Sequence, residues 1–129
     1  MFNDELSILA LYGLLVALTV LLQTTGLMGQ LGMGYLMSAR DENREAAGMT
    51  ARLERALNNS VVAMTLFAPA ILIIAIRDGF SDTTLMAAQI FLLARVVYLP
   101  AYALGIMGLR TLVWLAGFAA TAVLYFQAL

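Results

Sequence analysis

Charge leaves four long stretches of this chain untouched, and that spacing limits the fold more than any other feature. Leu6 to Ala39 carries no charged side chain over 34 residues, Ala56 to Ile76 none over 21, and Thr111 to Leu129 none over 19. Thr83 to Leu109 carries one, Arg95. A helix needs roughly 20 apolar residues to cross the hydrocarbon core of a bilayer. The pattern predicts an all-α membrane protein, a four-transmembrane-helix bundle forming a single domain over residues 1–129, with spans near 6–38, 52–76, 82–106 and 110–128. A chain of 129 residues that is 63% hydrophobic has too little interior to hide its apolar surface as a soluble domain. The first run is longer than a crossing requires, reaching about 50 Å as a helix. Its tail, Gly29 to Ser38, is expected to project past the bilayer or to tilt within it.

The arginines give an orientation. Arg40, Arg44, Arg52 and Arg55 lie in or beside the first loop, and Arg110 lies just before the fourth span. The other side has only Arg77, next to Asp78 and Asp82. Basic loops stay in the cytoplasm, so loops 39–51 and 106–110 are expected there, with both termini outside. Asp4 and Glu5 precede the first run where a secretory signal would be basic, so that segment is expected to be retained. A net charge of −1 gives no reason to expect a nucleic-acid partner. The chain has no cysteine and no histidine, the usual ligands of zinc, haem and non-haem iron, and no metal site is expected. Asp78-Gly79 reads as a turn, and Ser81 or Asp82 as the cap of the third helix. Gly26, Gly29, Gly32 and Gly34 give the first helix a small-residue surface. Such a surface suits close helix packing, room for a ligand, or a loosened helix end.

Arg95 carries the sharpest chemical signal. It lies about 18 Å along the third run, near the bilayer midplane, where an arginine costs about 2.5–3.5 kcal/mol on insertion scales. No acidic residue stands at matching depth in another span, so its partners are expected to be neutral: Asn58, Asn59 or Ser60, or Gln23, Thr24 or Thr25, or backbone carbonyls, or a bound anion. Tyr98 and Tyr102 follow at i+3 and i+7 and share its helical face. Arg52, Arg55, Asn59 and Val62 form a facing stripe on the second helix. With Arg110 these groups describe an arginine-rich cleft open to the cytoplasm, suited to carboxylates, phosphates or a thiolate. Arg52 and Arg110 are equally readable as topology determinants, the tyrosines as an interfacial belt, and Arg95 as a structural interhelical donor. Pro100 is expected to bend the third helix between the tyrosines.

The stretch Arg55-Ala56-Leu57-Asn58-Asn59-Ser60-Val61-Val62-Ala63-Met64-Thr65-Leu66-Phe67 resembles the second-helix signature of the MAPEG family, membrane-associated proteins in eicosanoid and glutathione metabolism. Ala94-Arg95-Val96-Val97-Tyr98-Leu99-Pro100-Ala101-Tyr102, followed by Leu109-Arg110-Thr111 and Trp114, resembles its third- and fourth-helix signature, particularly that of bacterial members. The resemblance covers essentially the whole chain. It implies a homotrimer in a bacterial inner membrane, with glutathione bound between subunits near the cytoplasmic side. By the same resemblance, Arg55, Asn59, Arg95, Tyr98 and Tyr102 would hold glutathione, with Arg52 nearby. Arg110, with Tyr102, would stabilise the thiolate. One position departs from the pattern: the family glutamate, which meets the glutathione amine, is Val62 here.

Two functions follow from these expectations. One is a glutathione-dependent transferase or peroxidase acting on lipophilic electrophiles drawn from the surrounding lipid. The other is a non-catalytic protein of the same fold that binds a lipid or another anionic amphiphile, or serves as an accessory membrane subunit. Val62 favours the second, and the retained arginines and tyrosines favour an anion in either case.

Overall fold

The computed structural model describes residues 2–32 and 47–129, and among them every regular element is helical. Four helices follow one another: α1 (Glu5–Leu31), α2 (Gly48–Ile76), α3 (Asp82–Ala103) and α4 (Met107–Ala128). Each is long and apolar enough to cross a membrane. Residues 33–38 of the expected first span lie outside the described residues, as do Gly34, Arg40 and Arg44.

Local chemistry explains where the helices begin and end. Asp4 caps α1, accepting from the Leu6 N–H at 3.3 Å and from the Ser7 hydroxyl at 3.1 Å. Ser81 caps α3 in a reciprocal box with Thr84: the Ser81 N–H donates to Thr84 Oγ1 at 2.7 Å and the Thr84 N–H to Ser81 Oγ at 3.3 Å. Two otherwise orphaned donors are satisfied this way. The α2–α3 turn passes through Asp78 at φ 54°, in the left-handed region that aspartate tolerates better than most residues. The α3–α4 turn passes through Gly105 at φ 75°, where a side chain would be strained.

The helices pack so that α2 and α3 each touch all the others, while α1 and α4 do not meet among the described residues. The broadest contact is α3 on α4. At the centre, Phe67 of α2 and Phe91 of α3 stack at 3.9 Å with their planes 4° apart. Tyr12 of α1 meets Phe91 edge-on at 4.8 Å. Such pairs add about 0.5–1.5 kcal/mol beyond the area they bury. In lipid that packing term matters more, because burying hydrocarbon against hydrocarbon gains little. Ile8, Ala70, Ile71, Ile74, Ala88 and Leu124 complete the fully buried core around the rings.

The glycines of α1 divide. Gly26 lies against α2 so closely that a Cβ there would come within 2.9 Å of Thr50 Cγ2. Gly29 and Gly32 face open space. Among the described glycines of this series, close approach of α1 and α2 therefore depends on Gly26 alone.

Candidate anion site

The site begins with the cost of holding Arg95 inside the bundle. Its side chain is 3% exposed. Nη1 donates to Asn59 Oδ1 and Nη2 to Ser60 Oγ, both at 2.9 Å. Its guanidinium carbon lies 4.1 Å from the centroid of the Tyr98 ring. A desolvated cation over an aromatic face gains about 2 kcal/mol. The partners are neutral, as the lack of a deep carboxylate in the sequence requires. Nε has no hydrogen-bond partner. The full positive charge thus stays in the bundle without a compensating anion among these contacts.

Backbone geometry aligns this group. Tyr12 of α1 donates its hydroxyl to the Ser60 carbonyl at 2.8 Å, fixing the turn of α2 that presents Asn59 and Ser60. Gly117 of α4 packs against the stem of Arg95, where an added Cβ would lie 3.8 Å from Cδ, an ordinary contact. The guanidinium itself is held by α2, through Asn59 and Ser60, and by Tyr98 of its own helix.

Two cavities open beside it. One, of about 280 Å³, is lined by Asn59, Tyr98, Tyr102, Arg110, Thr111 and Trp114. Arg110 lies over the Tyr102 ring at 4.7 Å, and the two tyrosine rings are 5.6 Å apart. The second, of about 250 Å³, is reached deeper along the helices. Arg95, Asn59 and Thr121 supply its polar wall, and Val62, Leu66, Phe91 and Phe118 most of its apolar wall. Asn59 and Trp114 line both. Among the described residues, no acidic side chain lines either cavity. The first offers a guanidinium, phenol hydroxyls and an amide, donors suited to carboxylate, phosphate or thiolate oxygen and sulfur.

The expected residues do not all gather. Asn59, Arg95, Tyr98, Tyr102 and Arg110 come together around the two cavities. Arg55 stands at their edge, exposed, with its guanidinium 6.0 Å from the Tyr102 ring. Arg52 lines neither cavity. It reaches across to the α3–α4 turn, where Nη1 donates to the Ala103 carbonyl at 3.4 Å and the guanidinium lies against Gly105. A cation near free carbonyls at a helix C-terminus is favourable on dipole grounds. Arg52 thus braces the turn that leads into Arg110.

Several contributors escape a reading of the sequence. Tyr12 is one, since nothing in an apolar first helix marks its hydroxyl as the partner of a carbonyl on α2. Trp114 and Phe118, stacked at 5.4 Å, are others. The available signal was their spacing, four and eight residues beyond Arg110 on one face of α4.

Comparison with known proteins agrees with this architecture. The model of the MAPEG family matches residues 6–129. No curated protein matches the chain. The family match spans all four helices and every cavity residue named above, and the chain is an integral membrane protein that belongs to the MAPEG family.

Proposed function

We propose that this protein is a glutathione-dependent transferase or peroxidase that works on lipophilic electrophiles, in a homotrimer of a bacterial inner membrane with its arginine-rich end in the cytoplasm. The observation that carries the reading is Arg110 over Tyr102 in a cavity lined also by Asn59 and Tyr98. A thiol entering such a site meets a cation and a phenol donor, which favour the thiolate over the thiol. In this reading Arg110, Tyr98 and Asn59 donate to the carboxylates and peptide groups of the tripeptide. Among the described residues its ammonium finds no acid in either lining, and Val62 stands at the position of the family glutamate. A charged hydrogen bond of that kind is worth about 1.5–3 kcal/mol, so glutathione binding here is expected to be weak.

The deeper cavity opens on hydrocarbon and gives the electrophile its place. In transfer, the thiolate sulfur bonds to the electrophilic carbon while that carbon's leaving group departs with the electron pair. In the peroxidase form, two glutathione molecules become the disulfide while the hydroperoxide becomes alcohol and water. The site residues contribute charge stabilisation and position.

The test is formation of the glutathione conjugate of a chlorinated nitroarene by purified protein in lipid nanodiscs, followed by mass spectrometry. Product above the uncatalysed background, lost with Arg110→Gln, is the expected result. Background rates for both proteins at millimolar glutathione would overturn the catalytic reading. Val62 in the cavity wall favours a second reading, a non-catalytic binder of an anionic amphiphile, which such a result would leave standing.

A further inference from the structure

Arg95 and Asn59 meet at the boundary of the two cavities in unequal ways. Asn59 lines both, while Arg95 borders only the deeper one and is 3% exposed. Each terminal nitrogen of the guanidinium is already engaged, Nη1 with Asn59 Oδ1 and Nη2 with Ser60 Oγ, and the Tyr98 ring covers one face. Nε is buried. Little of this group is left for a ligand in the outer cavity. Asn59 is the reverse case. Its carbonyl oxygen is taken, and its NH2 group has no hydrogen-bond partner among the described residues. Its neighbour Asn58 is exposed and lines neither cavity.

We propose that Arg95 is a positioning residue: it fixes the flip of the Asn59 amide so that the NH2 group donates into the cleft, and it does not itself touch the ligand. This role rests on the cleft being a glutathione site, as proposed above, and gives Asn59 the contact with a carboxylate or peptide carbonyl of the tripeptide. The chemistry of the pair dictates the orientation. A guanidinium only donates, so an amide 2.9 Å from Nη1 must present its oxygen. The oxygen and nitrogen of an asparagine side chain branch from one carbon, so turning the first toward Arg95 turns the second away from it.

Charge travels through the same bond. A cationic donor on the carbonyl polarises the amide and strengthens its N–H groups as donors. The ligand thus meets the buried charge as an oriented amide and not as a bare guanidinium. Without Arg95 both flips of Asn59 are open, and one of them presents an acceptor to an anion. Tyr12 assists from α1, since its bond to the Ser60 carbonyl steadies the turn that carries both acceptors of Arg95.

A double-mutant cycle on glutathione affinity, titrated calorimetrically in nanodiscs, tests this. Arg95→Met is expected to weaken glutathione about tenfold, as loss of one hydrogen bond to a charged group does. In an Asn59→Ala background the same change should have no further effect, because a residue that acts through Asn59 has nothing left to act on. An equal loss in both backgrounds would mean direct contact or general damage, and would overturn the proposal. Asn59→Asp keeps the acceptor for Arg95 and removes the donor. It should unfold no earlier than wild type and bind glutathione about tenfold more weakly. Wild-type affinity in that variant would also overturn the proposal. Arg95→Lys, which can still donate to the carbonyl, should recover part of what Arg95→Met loses. Side-chain amide NMR of protein isotope-labelled at asparagine needs no ligand and separates this role from the thiol reading. The Asn59 signal, identified by its absence in Asn59→Ala, should move in Arg95→Met more than in Arg110→Gln. A signal that moves in protein that binds no glutathione supports the orientation and removes the thiol reading. A signal that stays in place overturns the inference, whether or not glutathione binds.

Discussion

A single guanidinium organises the interior. Arg95 would be an expensive residue at the centre of a membrane helix if nothing met it, yet two hydrogen bonds and an aromatic face hold it. None of those partners is charged, so the site keeps a net positive character. Replacing Arg95 with alanine leaves the Asn59 carbonyl and the Ser60 hydroxyl without their donor. The variant is expected to lose about 1–3 kcal/mol of stability, read from detergent unfolding curves. Arg95→Lys should retain part of the loss and recover the charge, because an ammonium cannot reproduce the flat fork that serves two acceptors. Equal stability of wild type and Arg95→Ala would show that the two bonds contribute nothing. The sequence required a buried arginine with neutral partners and offered Asn58 to Ser60 beside Gln23 to Thr25, backbone carbonyls or an anion; the hydrogen bonds go to Asn59 and Ser60. It did not give Tyr12, whose hydroxyl fixes that turn of α2 from another helix. A contact between a side chain and a distant carbonyl leaves no periodic trace.

Among the elements, α1 and α2 meet through a small contact that can be tested alone. Gly26→Leu places side-chain atoms into Thr50, and the helices must separate. A destabilisation of about 1–3 kcal/mol is expected, partly restored by Thr50→Ala, while Gly29→Ala should have no measurable effect. Thermal unfolding of the four proteins in nanodiscs gives the comparison, and a Gly29→Ala loss as large as that of Gly26→Leu would refute the assignment. The positions of the helices were legible because charge and turn residues interrupt the apolar runs, and the cap of α3 was legible as Ser81 or Asp82, a choice that the reciprocal bonds with Thr84 decide for Ser81. Which of the described glycines Gly26, Gly29 and Gly32 packs was not legible, because all have the same composition signal and only the nearness of Thr50 on α2 distinguishes Gly26. Arg52 shows the same limit. Its spacing puts it on the stripe of Arg55 and Asn59, but the α3–α4 turn offers a carbonyl close enough to draw it aside.

At the scale of the whole molecule, the polar and apolar ends of the site are arranged along the axis of the bundle. Arg55 and Arg110 mark one end of the helices and Arg77 the other, where its Nη1 donates to the Leu129 carbonyl at 3.1 Å. The proposed orientation puts the first of these ends in the cytoplasm. Because the chain has no native cysteine, single cysteines report topology without background. In intact cells, a membrane-impermeant maleimide is expected to label Asp78→Cys and to spare Gly108→Cys until the cells are lysed. The opposite pattern would invert the orientation and move the cleft to the outer side.

The central claim is that the arginine end of this bundle binds glutathione through its anionic groups. Calorimetric titration of glutathione into the protein in nanodiscs, run on wild type, Arg110→Gln and Arg77→Gln, tests it most directly. Both variants remove one positive charge, but only Arg110 lines the cleft. A saturable signal retained in Arg77→Gln and weakened at least tenfold in Arg110→Gln is the predicted result. No saturable signal at millimolar glutathione, or an equal loss in the two variants, would contradict the account.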